Sequence, residues 1–200
     1  MIKEDIRQNI LQDLPNRIRI AKQGKLLEQG EVAIEMVKAR PEVRLKKWNG
    51  EVDLGVRYDK ITKVGVRGLN NRMEYKDMKE ELHIYPLEES EGMEDGGLEL
   101  EIFLKQKPLM NKFDFQIEGT ENLDFFYQPA LTQVEIDEGA SRPDNVVGSY
   151  AVYHKTKSNH RVGSTNYATG KAFHIYRPKA IDANGVETWA ELSYTGNILS

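Results

Sequence analysis

The sequence predicts a mainly β protein, an antiparallel β-sandwich with a short N-terminal helix. Three observations point there. Strict apolar–polar alternation recurs along the chain, as at 98–105 and 112–118. Turn signatures punctuate it, the clearest being Asn49-Gly50 and Asp182-Ala-Asn-Gly185. The helical period is confined to the front, and period two takes over after Pro15. Strands with one apolar and one wet face belong to antiparallel sheets that bury one side, and many short strands between regular turns suggest a sandwich or barrel.

Ile2, Ile6, Ile10 and Leu14, with Leu11 beside them, form one apolar stripe, so a helix is expected over 2–14. Glu4 and Asp5 suit its positive end and Pro15 stops it. Residues 1–15 then form a helical arm, packed on its own domain or docked on a neighbouring subunit. Residues 16–200 form the sandwich domain, divisible into two subdomains at a break near 106–111.

Val32, Ile34 and Met36 alternate with Ala33 and Glu35. Residues 41–59 read as a hairpin turning at Asn49-Gly50 in a two-residue type I′ loop. That loop sets Trp48 opposite Glu51, Val43 opposite Val56, Leu45 opposite Leu54 and Lys46 opposite Asp53. Leu98, Leu100, Ile102 and Leu104 share one strand face, and Phe113, Phe115 and Ile117 share another. The aromatic run Leu123-Asp-Phe-Phe-Tyr-Gln-Pro129 reads as core rather than as a ligand box. Segments 146–155 and 171–179 pair as strands across a long polar loop. The last hairpin turns at Asp182–Gly185. A two-residue turn at Asn184-Gly185 would oppose Asp182 and Glu187, so a four-residue type I turn pairing Ile181 with Val186 is preferred. Trp189–Tyr194 reads as a strand and Thr195–Asn197 as a turn. The short return after it leaves an open edge, so 189–200 is expected to be poorly ordered or completed by another chain.

With 200 residues, 39% apolar and 30% charged, the chain can bury a sizeable core. A net charge of -4 disfavours a dedicated nucleic-acid binder. No cysteine is present, which removes disulfides and thiolate metal sites. No apolar stretch is long enough for a membrane helix. The opening Met-Ile-Lys-Glu-Asp-Ile lacks a signal-peptide pattern, so synthesis in the cytoplasm is expected.

Catalytic motifs are missing by spacing. Gly163-Ser-Thr-Asn-Tyr-Ala-Thr-Gly-Lys171 has six residues between its glycines where a P-loop has four, and Ala172 replaces the magnesium-holding hydroxyl. Asp182-Ala-Asn-Gly lacks the later carboxylates of a calcium loop. His154, His160 and His174 fall close together, but the stretch 154–179 holds no carboxylate to orient imidazoles around zinc. No nucleophile elbow or metalloprotease helix occurs, and no cofactor is expected.

The charge map offers interface candidates. A basic segment carries His154, Lys155, Lys157, His160, Arg161, Lys171, His174, Arg177 and Lys179. An acidic segment carries Glu88, Glu89, Glu91, Glu94, Asp95, Glu99 and Glu101. They are expected either to be solvated separately or to meet as complementary patches within or between chains. Tyr153, Tyr167, Phe173 and Tyr176 interleave the basic segment, which also suits a glycan or other surface polymer.

Leu123–Thr132, Arg142-Pro-Asp-Asn-Val-Val-Gly-Ser-Tyr-Ala-Val-Tyr-His-Lys155, Thr165–Lys171 and His174-Ile-Tyr-Arg-Pro-Lys179 resemble a family of β-rich proteins from bacteriophage-like and environmental sequences, often the front part of longer chains. The resemblance covers about 110–200 and extends upstream. It implies a virion or surface structural role and transfers no enzyme activity or functional residues. The expected function is therefore a non-enzymatic tail, fibre or capsid-associated component that self-associates or joins other virion proteins. The alternative is a glycan-binding or surface-polymer-binding module using 154–179, and a polysaccharide hydrolase, whose carboxylate pair would be set by the fold rather than by local spacing, comes third.

Overall fold

The computed structural model of the chain describes residues 17–21, 33–37, 40–61, 65–69, 72–87, 97–156, 160–162, 165–167 and 170–200. The helix expected over 2–14 lies outside them. The chain divides into two compact units, Met1–Gly119 and Thr120–Ser200. Residues 106–111 fall inside the first.

In chain order the first unit carries β1 (Arg17–Ala21), β2 (Ala33–Val37), β3 (Glu42–Lys47), β4 (Val52–Arg57), β5 (Gly65–Leu69), β6 (Arg72–Lys76), β7 (Glu80–Leu87), β8 (Gly97–Leu104) and β9 (Phe115–Glu118). Strands β1-β2-β3-β4 form an antiparallel meander, with β9 added antiparallel to β4. Strands β5-β6-β7-β8 form a second meander. Alternation decides which residues go inside. On β7 and β8, Leu82 pairs with Ile102 and Ile84 with Leu100, while His83 and Glu101 pair on the opposite face. A one-residue slip would exchange the two sets, so the burial of one face fixes the register.

Both sheets feed one core cluster. Val43 comes from the first sheet and Met73, Tyr75, Leu82 and Ile84 from the second, with Tyr58 and Ile61 from the connection after β4. Leu98, Leu100 and Ile102 pack against it as expected, whereas Leu104 is exposed. Each fully buried large side chain contributes roughly 1.5–3 kcal/mol of apolar transfer. The buried Tyr58 hydroxyl is satisfied, donating to Glu80 Oε2 at 3.1 Å.

The β3–β4 register matches the expectation at Val43–Val56, Leu45–Leu54 and Lys46–Asp53. The loop does not. The strands end at the Lys47–Val52 pair, and Trp48–Gly50 closes as one 3-10 turn, with Trp48 and Gly50 at φ 54 and 89. Trp48 is buried, with the Lys47 ammonium 5.2 Å from its ring centre, and Glu51 N–H still donates to Trp48 O at 3.1 Å, so the two residues face each other as expected while the turn between them is not type I′. Asp53 takes its ion pair from Arg44, Nε to Oδ1 at 2.9 Å.

The second unit carries β10 (Leu123–Gln128), α1 (Gln133–Asp137), β11 (Ser149–His154), β12 (His160–Val162), β13 (Thr165–Tyr167), β14 (Lys171–Ile175), β15 (Lys179–Ile181), β16 (Glu187–Trp189), β17 (Tyr194–Thr195) and β18 (Ile198–Leu199). Strand β11 is the centre of an antiparallel sheet, flanked by β10 and β14. The strand expected over 171–179 thus stops at Ile175, and Lys179 opens the next hairpin. Helix α1 is one short turn fixed by a capping box: the Thr132 hydroxyl accepts from Glu135 N–H, and the Glu135 carboxylate accepts from Thr132 N–H at 2.7 Å.

Two expectations are corrected here. In the last hairpin Ile181 pairs with Glu187, not Val186. Gly185 N–H donates to Asp182 O, and Asp182 N–H to Val186 O, both at 3.0 Å. That is a type I turn followed by a left-handed Gly185 at φ 80, which adds a bulge and shifts the register by one. It also keeps Asp182 away from Glu187. The segment 189–200, expected to be open, closes on itself: Ser193 and Ser200 exchange two backbone bonds of 2.9 Å, and Tyr194 pairs with Leu199. Gly196 and Asn197, at φ 57 and 64, give the left-handed pair that a two-residue hairpin loop needs. Tyr194 then stacks on Phe125 at 4.0 Å and donates its N–H to the Tyr150 hydroxyl, covering one face of the β10-β11-β14 sheet.

Candidate functional site

The opposite face of that sheet collects the chemistry. Register places Asp124 opposite Tyr153, Phe126 opposite Ala151 and Gln128 opposite Ser149. Ala151 and Ser149 are small and buried, so the central strand forms a low floor with larger groups beside it. Phe126 and Tyr153 meet edge to face at 5.5 Å and 82°. An open recess of about 530 Å³ is lined by Asp124, Phe126, Gln128, Tyr153, His154 and Lys155. The aromatic run is therefore not simply core: Leu123 is buried, while Phe126 and Tyr127 are about half exposed.

A serine–histidine pair lies on the same face. Ser149 Oγ is 2.6 Å from His174 Nε2 and 2.5 Å from Val146 O. With one hydroxyl proton, both contacts are satisfied when Ser149 donates to Val146 O and the neutral His174 donates its Nε2–H to Ser149. Burial, then the Lys171 charge, holds His174 down at about 4. Ser149 is fully buried, so its oxygen faces inward and the pair ties β11 to β14. Sequence alone did not bring these two residues together.

The expected basic patch becomes two groups. Lys155 and Lys171 sit at the end of β11, where Lys155 Nζ donates to Glu121 O at 2.6 Å and Tyr153 pairs with Lys171 across a bulge. His154 Nδ1 accepts from Thr156 N–H at 3.3 Å. Arg177 belongs to the other end: its N–H donates to Asn145 O, and a side chain on Gly148 would touch it. Arg177 and Lys179 lie over the Trp189 ring at 5.6 and 4.9 Å, and Lys179 pairs with Glu187 at 2.7 Å. Six strand residues separate the groups by about 17–20 Å. His160 and Arg161 lie on β12 opposite Tyr167 and Asn166. Lys157 lies outside the described residues.

Of the acidic candidates, Glu88, Glu89, Glu91, Glu94 and Asp95 lie outside the described residues. Glu99 and Glu101 stand on β8 opposite Tyr85 and His83. Burial and the Glu101 charge push the Glu99 carboxyl above its ordinary range. Burial, a hydrogen bond to Glu101 and the charges of Glu101 and Glu99 push the Tyr85 phenol up to about 12. His83 is buried against Phe103, with Nδ1 unpartnered and Nε2 3.4 Å from Glu81. No group of carboxylates and histidines among the described residues is arranged to hold a metal.

The signal for the recess was present in the sequence. Asp124, Phe126 and Gln128 occupy alternate positions, and two polar residues bracketing a phenylalanine mark a solvent face that carries an exposed ring. No family model matches the chain, and no curated protein or solved structure matches it. No described helix is long and apolar enough to cross a membrane.

Proposed function

We propose that the chain is a non-enzymatic structural protein of a phage-like particle, a tail, fibre or capsid-associated component that works through self-association. One observation carries this reading. Among its described residues the second unit buries few large side chains yet leaves Val134, Ile136, Ile181 and Val186 at 66%, 50%, 65% and 59% exposure. Small units with thin cores are commonly stabilised by oligomerisation, which would cover such residues. The likeness of 110–200 to phage-like sequences supplies the setting, and other virion proteins are the remaining partners. In the same reading the two sheets of the first unit face each other as a sandwich, which their shared core cluster supports.

Sedimentation tests it. The wild-type chain is expected to form oligomers at micromolar concentration without added ligand. Val134→Glu combined with Ile181→Glu should shift the distribution toward monomer with unchanged circular dichroism, because both side chains are exposed. A wild type that stays monomeric across that range rules the reading out.

A further inference from the structure

We propose that the recess between β10 and β11 binds a neutral saccharide chain, a site separate from the side chains invoked for assembly. Phe126 offers a ring that is 51% exposed, braced edge-on by Tyr153, so its position is set before any ligand arrives. Polar groups of both signs surround it. The Asp124 carboxylate and Tyr153 hydroxyl, opposite one another in the register, have no hydrogen-bond partner among the described residues. Gln128 uses an amide N–H on Phe126 O at 3.0 Å and keeps its amide oxygen as an acceptor. Lys155 is anchored on Glu121 O and retains further N–H donors.

A sugar ring has apolar C–H faces and hydroxyls that both donate and accept. An exposed aromatic ring with interleaved donors and acceptors matches both properties. A phosphodiester chain needs a field of one sign, which Asp124 opposes. An acyl chain needs apolar enclosure, and this recess is open with polar groups on its lining. The acid also weighs against a uronate polymer, and the more distant Arg177 and Lys179 are engaged with Trp189, Ala190 and Glu187.

The experiment is an amide-shift titration of the full chain with cellotetraose, xylotetraose, mannotetraose and chitotetraose, alongside tetragalacturonate and a short DNA. At least one neutral tetrasaccharide should saturably shift the amides of 124–128 and 151–155. Phe126→Ala should weaken that binding by about tenfold or more, and Asp124→Asn by about threefold. Tyr153→Phe, which removes one oxygen and keeps the ring, gives a variant with little risk to folding and should weaken binding by about threefold. Val134→Glu should bind as wild type. Absence of a shift with every neutral probe overturns the proposal. So does equal affinity in folded Phe126→Ala and Tyr153→Phe, or a preference for tetragalacturonate or DNA. Because the titration reads local amides, it separates a failed recess from a failed assembly.

Discussion

His174 shows how one residue links the second unit to pH. Its folded-state value of about 4 lies below the ordinary 6.5, chiefly because burial disfavours the imidazolium and secondarily because of Lys171. Among the described residues, Ser149, Tyr176 and Lys171 are the groups brought against it, and none is an acid. Between these values the unfolded chain binds a proton that the folded chain does not. The stabilisation is therefore complete above 6.5 and is lost as pH falls toward 4. Urea midpoints should fall over that window by an amount equivalent to about 1–2 kcal/mol, discounted for the ring's partial exposure. In His174→Gln that part of the slope should vanish; an unaltered slope would show that the proton goes elsewhere. The pair itself was illegible in the sequence, because Ser149 and His174 lie on different strands and meet only through the β11–β14 register. Phe126 was legible in principle, since its polar neighbours on alternate positions already announced an outward face.

At the scale of the element, hydrophobic alternation carried the register and side-chain burial overrode the turns. Val43–Val56 and Leu45–Leu54 follow from which residues must go inside, so the β3–β4 pairing was readable. The loop was not, because nothing local says that Trp48 will tuck beneath it. Gly50 still occupies φ 89, with open space where a Cβ would stand, so Gly50→Val should cost backbone conformation without a clash. A loss of about 1 kcal/mol or more is expected in urea melts. Unchanged stability would mean that the turn relaxes to another form. The β15–β16 hairpin repeats the lesson: like-charge repulsion correctly disfavoured Asp182 against Glu187, but the bulge at Gly185, which depends on a third residue, set the final pairing.

At the scale of the whole molecule, the two units differ in how much apolar surface each buries. The first holds the Val43–Ile84 cluster, and among its described residues the second buries mainly Leu123, Ala151, Val152, Ala172 and Leu192. Each unit has one tryptophan, buried Trp48 in the first and part-exposed Trp189 in the second. At dilutions that would suppress the proposed association, emission assigned to Trp189 by comparison with Trp189→Phe should change at lower urea than emission from Trp48. Coincident transitions would mean that the chain unfolds as one block. The division was hard to read because no Gly- or Pro-rich linker marks Gly119–Thr120. The Asp182 loop also bears on chemical ageing. Asn-Gly is the dipeptide in which a backbone nitrogen most readily attacks the preceding side-chain amide, converting asparagine to isoaspartate. Here the attacking nitrogen, Gly185 N, donates to Asp182 O, while Asn184 N–H is held by Asp182 Oδ1 at 2.8 Å. The contacts that shift this hairpin by one residue therefore also restrain its cyclisation, a form of shelf life that the proposed particle component would need once outside the cell that made it.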